Sequence, residues 1–377
     1  MTTANRFTMT KKPLRTEPKK RLYSLDALRG FDMFWITGGG IIAITISKMT
    51  GLDWLETQMH HVKWEGFRFQ DLIFPLFMFI SGVAIPFAIR SRIEKNIPTR
   101  KLIRKAFIRL VTLIILGILY NGTFKNGFAD GRIASVLGQI GIAYFFASLI
   151  SVYFKSLQSL FIWLAAILTA IGIIQLLIPV PGIGAGVLTP EGCINGYIDR
   201  LLLPGRLYGK VFDPEGILCS ISATGITLMG TLAGTILRKR EKTDLQKVGW
   251  LLSAGVISVL LALLFSTFYP VIKSCWTSTF NLLAGGISFL LLALFYLVID
   301  HWGFKWWAFY FRVIGMNSIF VYLFTRIVDV KAITAFFLGW IINKTGAAGD
   351  LILLAGNLAI IWLLLYYMYK KNIFFRV

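Results

Sequence analysis

The stretch FQDLIFPLFMFISGVAIPFAIR, residues 69–90, decides the class of this chain. It has an acid near its start and a base at its end, and almost everything between them is apolar. About 20 helical residues cross the hydrocarbon core of a bilayer, so a run of this length reads as a spanning helix. Similar runs recur at 27–47, 103–120, 134–153, 159–178, 217–237, 248–268, 279–299, 308–328 and 350–369. The 377 residues are 56% hydrophobic and only 15% charged, with a mean hydropathy of +0.71. Soluble domains carry about 25% charged residues. The expected fold is an all-α polytopic membrane protein with about ten transmembrane helices. The apolar piece 332–343 is too short to span and reads as a re-entrant or interfacial segment.

The net charge of +21 could point to nucleic acid, but the positions of the bases argue against it. Taken in alternate loops, the N-terminal side holds 24 Lys/Arg and the opposite side 11, while Arg29, Arg109, Arg312 and Arg326 fall inside helices. This asymmetry is the positive-inside pattern. It predicts that both termini are cytoplasmic and that the partners include membrane lipids but no nucleic acid. Residues 1–21 form a basic cytoplasmic tail without a cleavage site, so the first helix is expected to be an uncleaved insertion signal. Residues 22–377 read as one membrane domain, with the 38-residue loop 179–216 as its largest outer piece. Cys193, Cys219 and Cys275 have no metal-ligand spacing, and no metal is expected. All three fall near the outer face, where one disulfide is possible.

The segment before the opening stretch, HHVKWEG, carries the chemistry. His60 and His61 stand in the first outer loop, and Asp71 follows His61 by ten residues. Imidazole exchanges a proton near neutral pH and suits a general base. A turn at Trp64-Glu65-Gly66 could fold the Asp71 carboxylate onto the ring. Asp71 could equally cap the helix that follows it. Pro75 cannot donate to the Asp71 carbonyl, which must find another partner or line a cavity. In SLDALRGFDMF, Asp26 and Arg29 share a helix face, as an anchoring ion pair or as part of a site. Arg29, Arg109 and Arg312 all fall in cytoplasmic half-helices and together could receive a phosphate-bearing ligand, although snorkelling to headgroups also explains each. Asn317 and Ser318 are placed well inside the ninth helix, and Gln139 inside the fourth with Arg132 at its entrance. Gly38-Gly39-Gly40 permits close helix packing or an unwound stretch.

Five motifs in order, SLDALRGFDMFW, HHVKWEGFRFQDLIFPLFMFISG, RIASVLGQIGIAYFF, FDPEGILCSISATGITLMGTLAGTIL and GMNSIFVYL, resemble the heparan-α-glucosaminide N-acetyltransferase family of transmembrane acyltransferases. The chain looks like a bacterial inner-membrane relative. It departs from lysosomal members around FWITGGG, at Ile36 and Thr37. The resemblance implies transfer of an acetyl group from cytosolic acetyl-CoA to an amino sugar or sugar hydroxyl on the outer side. It also selects His61 over His60, because the family's histidine stands three residues before the Trp, and it makes Asp71 the following acid. His61 would act as base or as acetyl carrier, and Asp71 would orient it. Arg29 and Arg312 would meet the CoA phosphates, and Asn317 or Gln139 the thioester carbonyl. A homodimer stays open. The rival reading is a transporter of a sugar or lipid-linked glycan in which His61 and Asp71 relay protons.

Overall fold

The first apolar run does not cross as one regular helix. It is built from Tyr23–Phe34 (α1), a π-helical turn Trp35–Gly39 and Gly40–Thr50 (α2). Gly38 adopts φ 157°, a backbone conformation that side-chain-bearing residues rarely reach. Of the two roles open to the glycine run, the irregular stretch is the one observed. The computed structural model describes residues 22–123, 127, 130–346 and 348–375. The basic tail 1–21 lies outside the described residues.

The remaining helices are Asp53–Gln58 (α3), Phe69–Ile93 (α4), Thr99–Tyr120 (α5), Val136–Tyr153 (α6), Leu157–Leu177 (α7), Ile194–Leu202 (α8), Ile217–Leu237 (α9), Asp244–Phe265 (α10), Ser278–Phe295 (α11), Ala308–Gly315 (α12), Ser318–Ile327 (α13), Val330–Ile342 (α14) and Ala348–Lys370 (α15). Among the described residues, eight helices are long and apolar enough to cross a membrane, or nine if α12 and α13 count as one span. The remaining expected segment, 103–120, is also helical as α5. Its Arg104, Lys105 and Arg109 make it the most basic of the long helices. The apolar helix α14 has 13 residues, in keeping with a segment too short to cross unaided.

One expectation fails. The run 308–328 is not a continuous helix: α12 and α13 meet at a 73° bend. Asn317, placed in the sequence well inside a helix, is the residue at the break, with φ −129° and ψ 35°. Its Nδ2 donates to Ile373 O (3.1 Å) and its Oδ1 accepts from Phe375 N (2.9 Å). The amide therefore exchanges helical geometry for two bonds to a segment far along the chain.

The bundle is organised around α9, whose SISATGITLMGTLAGT face is almost wholly buried. A methyl group on Gly230 would sit 1.9 Å from Phe79 O, and one on Gly234 would sit 2.3 Å from Val83 O. Small residues at these places let α9 and α4 pack backbone to backbone. Arg238 at the end of α9 donates to Pro86 O (3.2 Å) and pairs with Glu94 beyond α4, so the two helices run in the same direction. Their starts, bearing Asp71 and Ile217, share one face of the bundle. The loops sort accordingly. On that face Trp64 Nε1 donates to Leu188 O (2.7 Å) and Gly66 N to Val271 O (2.9 Å). On the other, Ser24 N donates to Asp300 Oδ2 (3.1 Å). Alternate loops meet as the sequence topology requires.

Candidate functional site

The turn Trp64-Glu65-Gly66 builds the site. Gly66, with φ +115°, lets the chain reverse, and Glu65 pairs antiparallel with Ile272 in an isolated bridge. The reversal returns the chain to the start of α4. There the Asp71 Oδ1 lies 2.7 Å from His61 Nδ1. The other oxygen, Oδ2, accepts from Arg68 N (3.1 Å) and Val62 N (3.4 Å). Asp71 thus fills both roles foreseen for it. One oxygen caps the helix by bonding an otherwise orphaned amide, and the other holds the imidazole.

The same bridge delivers a residue that sequence reasoning passed over. Lys273, one position beyond Ile272, places Nζ 3.3 Å from Asp71 Oδ1 and 3.1 Å from His61 Nδ1. Burial pulls its ammonium below the usual lysine range, against the opposing pull of Asp71 and Glu215. It is the single Lys or Arg in the loop 269–278, which is the one signal the sequence offers. Its partners lie more than 200 residues away, so pattern alone could not place it. The ammonium cannot donate to a protonated Nδ1. The consistent arrangement is Nδ1–H donating to Asp71 Oδ1, with Lys273 bound to the same oxygen. Nε2 then carries the lone pair. Asp71 is fully buried, whereas the His61 side chain is 55% exposed, so this nitrogen can meet a substrate. His60, by contrast, faces Glu56 at 3.6 Å and takes no part in the trio.

His61 and Lys273 border a cavity of about 210 Å³. Its polar rim includes Gln70 and Glu215, and its apolar walls descend along Phe74, Phe77, Leu137 and Tyr322. Beside it, Arg132 is gripped by Asp213, through Nε to Oδ2 (2.8 Å) and Nη2 to Oδ1 (2.5 Å), and by Glu215.

Of the other expected residues, Ser318 lines this cavity, whereas Arg29, Arg312, Arg109, Gln139 and Asn317 do not. Arg29 reaches Asp26 at 3.7 Å, the local ion pair foreseen. The Arg312 guanidinium lies over the Tyr23 ring (4.3 Å) and near that of Tyr369 (5.8 Å), so it belongs with α1 and the end of α15. Arg109 stacks on Tyr144 (3.9 Å) on a different helix pair. Gln139 is buried with neither amide atom hydrogen-bonded, although its neighbours Leu137 and Ile140 line the cavity. Asn317 is committed to the C-terminal segment as described. The disulfide expectation is not met: Cys193, Cys219 and Cys275 are buried free thiols, with Asn195 Nδ2 donating to Cys219 Sγ (3.3 Å). Among the described residues no group of His, Cys, Asp and Glu is arranged to hold a metal.

Fold and site together define a multi-pass helical membrane protein with a His–Asp–Lys cluster at the mouth of an intramembrane cavity. No family model matches the chain. It is 26% identical to the heparan-α-glucosaminide N-acetyltransferase of Mus musculus over 96% of its own length, and 27% identical to that of Homo sapiens over 95%. These two matches support its membership of the heparan-α-glucosaminide N-acetyltransferase family. The chain spans about 60% of the length of the curated relatives it matches.

Proposed function

We propose that this protein is an integral-membrane acetyltransferase that moves an acetyl group from acetyl-CoA to an amino sugar or sugar hydroxyl. The observation that carries the reading is the His61–Asp71 contact of 2.7 Å at the rim of a cavity with apolar walls. The names of the two relatives supply the reaction class. In the reaction, the acceptor nitrogen or oxygen attacks the thioester carbonyl carbon while His61 Nε2 takes its proton. The C–S bond breaks and the departing thiolate recovers that proton. Alternatively, Nε2 attacks first and carries the acetyl group as an acyl-imidazole before the acceptor displaces it. In both routes Asp71 fixes the tautomer and balances the positive charge that develops on the ring. Lys273 holds the carboxylate in place and keeps its charge partly neutralised. Apolar walls exclude water, which would otherwise intercept the acetyl group.

The donor is assigned to the cytoplasmic side, where Arg29 and Arg312 sit on the packed helices α1 and α12 and would meet its phosphates. Of the two amides considered for the thioester carbonyl, Gln139 is the one whose donor is not already used within the chain. The acceptor is assigned to the outer face with His61. A bacterial inner membrane fits the short, basic connectors. Purified protein offered acetyl-CoA with glucosamine, N-acetylglucosamine or glycan fragments should release CoA and form acetylated product. No CoA release with any acceptor, together with uptake of a sugar into proteoliposomes, would replace this reading with the transporter. A His60→Cys variant labelled only from the cytoplasmic side would invert the assigned topology.

A further inference from the structure

The break between α12 and α13 leaves a helix start facing the cavity. Asn317 holds the position from which a side chain normally caps a helix, and asparagine is among the best residues for that task. Here it forms no cap. Its Oδ1 is taken by Phe375 N (2.9 Å) and its Nδ2 by Ile373 O (3.1 Å). The first bond of the new helix runs from Val321 N to Asn317 O (3.0 Å). The amides of Ser318, Ile319 and Phe320, which precede it, have no acceptor among the described residues. Such donors are costly to leave unpaired away from water, and a helix start is ordinarily closed by a cap, by water or by a ligand.

A second observation points the same way. Ser318 is only 6% exposed, and both it and Ile319 line the cavity that His61 borders. The Ser318 hydroxyl has no hydrogen-bond partner among the described residues. Elsewhere in the bundle such hydroxyls turn back to a carbonyl one helical turn earlier, as Ser288 does to Ala284 O (2.7 Å) and Thr325 to Val321 O (3.0 Å). Ser318 opens its helix and has no regular turn behind it. A hydroxyl and a set of amide donors therefore meet in a small space with apolar walls, backed by the partial positive charge of a helix start. Such a place suits an oxygen that becomes negative.

We propose that the uncapped start of α13, with the Ser318 hydroxyl, is the oxyanion site for acetyl transfer. The inference rests on the acetyltransferase reading and adds to it the group that polarises the thioester. As the acceptor attacks, a bond forms to the carbonyl carbon, His61 Nε2 takes the acceptor's proton, and one C=O electron pair moves onto oxygen. The Ser318 hydroxyl and the Ser318 and Ile319 amides hold that oxygen. The pair then returns, the C=O bond re-forms and the C–S bond breaks. The CoA thiolate leaves and recovers the proton from His61.

The test uses the full chain in detergent with acetyl-CoA isotope-labelled at the thioester carbonyl. On binding to wild type the infrared band of that carbonyl should move to lower frequency, because hydrogen bonds to the oxygen weaken the C=O bond. Ser318→Ala should lose part of the shift and Ser318→Thr should keep most of it. Replacing Ile319 by its α-hydroxy acid, which exchanges the backbone N–H for an ester oxygen, should also reduce it. With glucosamine as probe acceptor, kcat should fall about tenfold or more in Ser318→Ala while KM for acetyl-CoA stays within about twofold, since one oxyanion donor is worth about 10²–10³-fold and the amides remain. A band that does not move in wild type overturns the site, even where transfer proceeds. So does a Ser318→Ala variant with unchanged band and kcat, or a loss of transfer in Gln139→Leu that Ser318→Ala does not share. A Ser318-dependent shift in a protein that transfers to no acceptor would remove the enzyme and keep the carbonyl site. Where Ser318→Ala does not fold, the wild-type band and the Ile319 ester decide.

Discussion

The two ends of the bundle hold their charges in different ways. At the cavity mouth, carboxylates are matched to their partners atom by atom. Asp71 makes four contacts with His61, Lys273, Arg68 and Val62, and Asp213 makes four with Arg132, Tyr208 and Glu215. At the opposite end, Arg312 and Arg109 rest on tyrosine rings, and the Nε of each has no hydrogen-bond partner. A ring face attracts a guanidinium without consuming its N–H donors. The cluster at the mouth is therefore already organised around His61 Nδ1. The arginines keep an Nε donor uncommitted. One end satisfies its charges with paired bonds and the other with ring faces.

This contrast can be broken most directly at His61. A general base contributes about 10²–10⁴-fold, so His61→Ala should nearly abolish acetyl transfer while the protein still inserts and binds CoA. Near-normal transfer would reduce the outer cluster to a structural cap. Asp71→Asn comes next. It preserves shape but removes the charge that supports the ring, and a charge-assisted bond is about twice as strong as a neutral one. Turnover should fall by roughly tenfold or more. Lys273→Met on the Asp71→Asn background should then add little, because the carboxylate they share is gone. A full additive loss would mean that Lys273 acts on its own.

At the other end, Arg312→Ala or Arg29→Ala should weaken CoA binding by about tenfold, on the order of 1.4 kcal/mol, with kcat at saturating donor largely kept. Unchanged affinity in both variants would return these residues to anchoring their helices. The smallest effect belongs to His60→Ala. Its ring is 57% exposed and faces Glu56 at 3.6 Å, so transfer should stay within about twofold of wild type. A dead His60 variant with an active His61 variant would shift the assignment by one residue.

Long apolar runs made the spanning helices legible, because crossing hydrocarbon imposes a length that composition reveals. The His61–Asp71 contact was legible too, since ten residues with a glycine turn can close on themselves. What escaped was non-local. Residues 308–328 read as one apolar run without proline, and the break at Asn317 is stabilised by a tail segment more than 50 residues away. Lys273 joins His61 only through the Glu65–Ile272 bridge, and Glu215 reaches the cavity only because α4 and α9 pack in the same direction. The family motifs weight individual positions, but they do not show which distant loops touch.

The close pair α1 and α12 has a mechanical consequence. A methyl group on Gly30 would lie 1.6 Å from Phe311 O, and one on Gly315 would lie 2.0 Å from Asp26 O. Two backbones this near cannot slide without colliding, so the pair behaves as a clamped base. Immediately beyond the clamp, both chains lose helical regularity, one in the turn Trp35–Gly39 and the other at the Asn317 break. Ile36, within the first irregular stretch, and Ser318 and Ile319, just past the second, line the cavity. Two departures from helical regularity thus sit directly against a rigid base, on the two chains that carry these cavity-lining positions.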